Sequence, residues 1–132
     1  MPFPTLTAGY AAVLALIFVL LSAWVIAGRG KLRVNLGDGG QAEMNQRIRA
    51  HGNFAEYVPL ILLLAALLET SGTSRLTIHA LLLTLVVARV LHPVGMVAPN
   101  ASVQQYACRG GSAAVTLLIL LISAVLLLIR VM

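Results

Sequence analysis

Asn45–Pro59 reads N-Q-R-I-R-A-H-G-N-F-A-E-Y-V-P and runs directly into the apolar segment Val58–Leu68. Arg49, Asn53 and Glu56 follow one another at intervals of four and three residues. A helix turns about 100° per residue, so Gln46, Arg49, Asn53, Glu56 and Tyr57 share an arc of roughly 100°. A polar stripe at the mouth of an apolar helix is costly unless it faces protein, a cavity or a ligand. The plain alternative is an interfacial helix end in which Arg49 and Glu56 merely pair with their neighbours.

Outward from this stretch the chain is apolar. Of its 132 residues 60% are hydrophobic and 10% charged, and the mean hydropathy is +0.97. Soluble domains carry about 25% charged residues. The composition therefore implies a single membrane domain, 1–132, of a few spanning helices. Apolar stretches place the spans at roughly 6–27, 45–69, 76–92 and 112–131. The fold class is an all-α integral membrane protein, a four-transmembrane-helix bundle. The first span lacks a positive n-region and is too long for a signal peptide. It also holds no acid, which argues against a small multidrug-type transporter with a carboxylate deep in its first span. Tyr10 and Trp24 mark its two interfacial ends.

The net charge of +5 does not point to nucleic acid, because the cations flank apolar segments. There they set topology and attract anionic lipid headgroups or ligands. Arg29, Lys31, Arg33 and Arg109 fall in the first and third connections, with Arg47, Arg49 and Arg89 on adjoining helix ends. The other side holds Arg75 and Arg130. This bias predicts cytoplasmic first and third connections and both termini outside. Cys108 is the single cysteine, so no intrachain disulfide and no cysteine-based metal site is expected. His79 reads as an interfacial hydrogen bonder. The last span has no ionisable residue before Arg130 and is expected to face lipid.

Three elements converge on the basic end: the polar stripe, the Arg89/His92 turn and Arg109. Together they suggest an electropositive cleft with one carboxylate, Glu56. Such a cleft suits a small, mostly anionic ligand that also carries an ammonium group. Arginines would grip its carboxylates and Glu56 its ammonium.

Arg49-Ala50-His51-x-Asn53-x-x-Glu56-Tyr57-x-Pro59 resembles the second-helix signature of the MAPEG family, the membrane-associated proteins of eicosanoid and glutathione metabolism. Arg29-x-x-x-Arg33-Val34 and Arg89-Val90-Leu91-His92 are similar to further family segments, and the four-span layout covers essentially the whole chain. The resemblance implies a homotrimer with glutathione bound as cosubstrate between subunits near the cytoplasmic face. It implies that Arg49, Asn53 and Glu56 hold glutathione, that Tyr57 packs beside it, and that Arg29 or Arg33, with Arg89 and His92, completes the pocket. It also implies that Arg109 stabilises the glutathione thiolate. A free thiol has a pKa of about 8.5, and a nearby guanidinium lowers it.

The activity implied is a glutathione-dependent membrane transferase or peroxidase acting on a lipophilic electrophile, in a bacterial inner membrane. The alternative is a non-catalytic, glutathione- or lipid-binding trimer. Prostaglandin-type members carry a tyrosine one turn after the third-helix histidine. Met96 stands there in this chain and cannot donate a hydrogen bond, which favours the alternative; Tyr106 is the candidate replacement hydroxyl.

Overall fold

The computed structural model describes residues 3–132. Its helices are α1 (Thr5–Leu32), α2 (Ala42–Thr70), α3 (Arg75–Met96) and α4 (Ser112–Val131), and a π-helical segment (Gln105–Gly111) leads into α4 without a break. Each helix is long and apolar enough to cross a membrane, counting the π-helical segment with α4. Lipid tails are as apolar as leucine, so close packing and interhelical polar bonds must hold the helices together.

The packing follows from how each sequence distributes its small and apolar side chains. α1 buries Thr7, Leu14, Leu21 and Gly28, one residue in every seven. That interval keeps one narrow seam facing the bundle along the whole helix. α2 turns Phe54, Val58, Ile61, Ala65 and Leu68 inward, and α3 turns Ile78, Leu82 and Leu85 toward them. α2 and α3 touch across the middle, while α1 and α4 lie on opposite sides and do not touch.

α4 leaves most of its apolar side chains exposed, as a lipid-facing span requires, but it also has an inner face that the expectation did not include. Ser112, Thr116, Ile119 and Ser123 form a buried stripe along it. Small hydroxyl residues at helical spacing let it approach α2 and α3 closely, while its leucines remain outside. The absence of ionisable groups in this span hid a polar inner face.

Polar stitches close both ends. Glu69, at the end of α2, accepts from the Leu6 and Thr7 backbone N–H groups at 2.9 and 2.8 Å and from Thr7 Oγ1 at 2.7 Å. These backbone donors have no intrahelical partner, and a carboxylate complements the positive end of the helix. Hydrogen bonds of this charged kind contribute about 1.5–3 kcal/mol each. From sequence, Glu69 is legible only as part of a turn signal; the turn itself ends on Gly72 at φ 84°.

At the basic end Arg47 donates to the Trp24 carbonyl at 2.8 Å and to Glu43 Oε1 at 2.7 Å. Its guanidinium lies 5.1 Å from the Trp24 ring centroid. Gly28 gives it room, since a Cβ there would come within 2.7 Å of Arg47 Cδ. Lys31 reaches Glu43 at 3.0 Å.

Candidate functional site

Asn53 and Arg89 form the centre of the site. Arg89 lies on α3 and is 1% exposed. Its Nη1 donates to Asn53 Oδ1 on α2 at 2.6 Å. Its Nη2 donates to the Ser112 carbonyl at 3.2 Å and to Thr116 Oγ1, both on α4. One guanidinium fork thus ties three helices together, using the geometry that suits arginine and not lysine. No carboxylate among the described residues lies within ion-pair distance of it.

His92, one turn beyond Arg89, is buried, and its Nδ1 lies 3.3 Å from Ser112 Oγ. Ser112 Oγ donates to the Cys108 carbonyl. A hydroxyl has a single proton, so with that proton on the Cys108 carbonyl the Ser112 oxygen is left to accept from the His92 ring. Ser112 and Thr116 are missed by a reading that looks for ionisable groups. Their signal is a serine and a threonine four residues apart in a run of leucines.

Two residues of the α2 stripe point outward. Arg49 Nη1 lies 3.6 Å from Glu56 Oε1, with side chains 58% and 50% exposed. Glu56 is about four turns into α2 from Ala42. Asn53 and Tyr57 are half-buried between this pair and the core. His51 faces the other way: its Nε2 lies 3.1 Å from Ser22 Oγ, and its ring stacks on Phe18 at 4.6 Å. The two halves of the motif therefore divide their work, one face packing α1 and the other left open.

Arg29 and Arg33 lie outside this cluster. Arg29 Nη1 is engaged by the carbonyls of Val34, Asn35 and Gly37 at 3.4, 3.1 and 3.2 Å, so it shapes the connection after α1. Arg33 ends α1 in the left-handed region at φ 55° and is exposed. Arg109 is also exposed, on the π-helical segment. Its backbone packs directly against Gly95 of α3, where an added Cβ would meet Arg109 N, Cys108 C and Arg109 Cα. Met96 is buried, and Tyr106 is 68% exposed. A groove of about 420 Å³ runs between α1 and α3, lined by Ile17, Leu20, Trp24, Val90 and Val94, with Arg89 at its wall.

The family model described as the MAPEG family matches residues 7–129, nearly the whole four-helix unit. The chain belongs to the MAPEG family. Inner membrane protein YecN of Escherichia coli, from strain K12 and from an O6:H1 strain, is 35% identical to this MAPEG chain over 86 residues. The match covers 65% of the chain and 66% of the relative, just under two thirds of its length. The matched residues span the α2 stripe and take in parts of all four long apolar helices.

Proposed function

We propose that this MAPEG protein is a glutathione-dependent transferase or peroxidase of the bacterial inner membrane, assembled as a homotrimer and acting on a lipophilic electrophile. The observation that carries the proposal is the outward-facing Arg49–Glu56 pair about four turns along α2, beside a half-buried Asn53. An exposed pair of this kind contributes little to stability, about 0–1 kcal/mol. Its chemistry matches glutathione, whose carboxylates suit Arg49 and whose ammonium suits Glu56. Arg33 and Arg109 are further exposed cations on the same basic end, available to an anionic cosubstrate. The neighbouring subunit would cover the stripe, and family membership and the name of the relative support the membrane assignment.

The chemistry follows from charge. Arg109 would stabilise the glutathione thiolate, whose sulfur attacks an electrophilic carbon and expels its leaving group. Alternatively the sulfur attacks a peroxide oxygen and cleaves the O–O bond, releasing the alcohol and a glutathione sulfenic acid that a second glutathione converts to disulfide and water. The apolar groove between α1 and α3 gives a lipophile a lateral way in from the bilayer. The second reading, a non-catalytic trimer binding glutathione or lipid, is favoured by Met96: the family hydroxyl is absent there, and the thioether is buried. Calorimetry with glutathione on detergent-purified protein, followed by conjugation of chlorodinitrobenzene, tests both. Binding with turnover supports the enzyme. Binding without turnover on this and on a lipid hydroperoxide supports the second reading, and no binding removes both glutathione readings.

A further inference from the structure

We infer that Arg89 is a positioning residue that locks the Asn53 amide with its N–H₂ outward, so that this position reads an acceptor oxygen of the ligand and rejects a donor. The inference rests on the glutathione reading above and adds the polarity of one subsite.

A guanidinium has donors and no acceptor, so the Asn53 atom facing Arg89 at 2.6 Å must be the carbonyl oxygen. Rotating the amide would set N–H against N–H at a side chain that is 1% exposed. Arg89 itself cannot turn away, because its second nitrogen is held by Ser112 O and Thr116 Oγ1 on α4. Asn53 Nδ2 has no hydrogen-bond partner among the described residues and is not fully enclosed. It therefore remains open on a half-buried residue that shares the α2 arc of Arg49 and Glu56.

The electrostatics point the same way. Arg89 is a buried cation without a carboxylate partner among the described residues. The amide dipole places its negative end on that cation and its positive end outward. Asn53 thus carries the influence of a charge the ligand cannot touch. Along α2 the ligand meets a donor at Arg49, a donor at Asn53 and an acceptor at Glu56. A peptide carbonyl or carboxylate at the middle position satisfies this order.

Asn53→Asp tests the assignment, because aspartate keeps the bond to Arg89 and adds an opposite charge while losing the donor. Wild type, Asn53→Asp and Arg89→Gln are compared by calorimetry with glutathione and by thermal melting in detergent. Asn53→Asp is expected to melt no lower than wild type and to lose about tenfold or more in affinity. Arg89→Gln has both a donor and an acceptor, frees the amide to turn, and is expected to weaken binding with Asn53 intact. Arg89→Lys retains only donors and is expected to restore most of the affinity lost in Arg89→Gln. A purely structural role predicts that Asn53→Asp binds like wild type, and an outward carbonyl predicts equal or tighter binding; either result overturns the inference. Failure of the wild-type protein to bind glutathione removes the parent reading and this one together, whereas wild-type binding with an unaffected Asn53→Asp removes this one alone.

Discussion

Gly95→Ala is the sharpest test of how the site is built. A Cβ at Gly95 would stand 2.6 Å from the Cys108 carbonyl carbon and 2.8 Å from Arg109 Cα, and closer still to Arg109 N. All three are backbone atoms, so no side-chain rotation relieves the contact. Comfortable separation is about 3.5–4.0 Å, so α3 and the π-helical segment must part by roughly 1 Å. Overpacking of this kind costs about 1–3 kcal/mol. Gly9 supplies the control, because nothing lies within 4 Å of a Cβ built there. Gly9→Ala is expected to stabilise by about 0.4–1 kcal/mol through chain entropy and helix propensity. Thermal melting in one detergent should therefore separate the two alanines in opposite directions from wild type. The parting also displaces Arg109, so Gly95→Ala is expected to reduce conjugation rate more than glutathione affinity, which rests on α2. A Gly95→Ala protein as stable as wild type would refute the close approach and the placement of Arg109 that depends on it.

Glu56→Gln is expected to leave melting within about 1 kcal/mol of wild type, because its pair with Arg49 is exposed, while weakening glutathione by roughly ten- to a hundredfold. Unchanged calorimetric affinity in a stable protein removes Glu56 from the binding site. Arg109→Ala is expected to keep affinity within a few-fold while raising the midpoint of thiolate formation, followed by ultraviolet absorbance, and lowering the rate at neutral pH. Arg109→Lys keeps the charge without the planar fork; if both variants match wild type, Arg109 serves only as an interfacial anchor. Both termini are expected outside the cytoplasm, from the arginine bias. A reporter active only in the cytoplasm, fused after Met132, should be silent, and a strong signal reverses the topology.

The four spans were legible because hydropathy accumulates over many residues, and the α2 stripe because its polar groups recur at helical spacing. What was not legible depends on contacts between helices. Arg47 and Arg49 illustrate the difference. They are two residues apart in one motif, hence about 200° apart around α2. Arg47 is consumed by Trp24 and Glu43, whereas Arg49 stays 58% exposed. Nothing in their local sequence distinguishes an arginine that meets α1 from one that does not. Arg89 carries the same lesson further, since its partners on α2 and α4 lie 36, 23 and 27 residues away in the chain.

Sorting the arginines by what they already hold narrows where a ligand can act. Arg29 is spent on loop carbonyls, Arg47 on α1 and Arg89 on the α2–α3–α4 junction. Arg33, Arg49 and Arg109 remain exposed at the basic end, while the exposed Arg75 and Arg130 lie at the other end. On the proposed glutathione reading, these three are the arginines of that end open to an anionic cosubstrate, and Arg89 reaches it through Asn53. This division also separates stability from binding. Truncating Arg89 takes the donor from Asn53 Oδ1 and from the buried Thr116 Oγ1 and should cost about 1–3 kcal/mol for each group stranded, whereas Arg47 leaves behind only a helix carbonyl and a 42% exposed Glu43 that Lys31 still reaches. Truncating Arg49 strands no buried partner, because Glu56 is itself half in the open. A loss of function from Arg49 substitution with an intact melting profile is then attributable to the ligand, whereas the same loss from Arg89 substitution requires the Lys and Gln pair before it can be assigned.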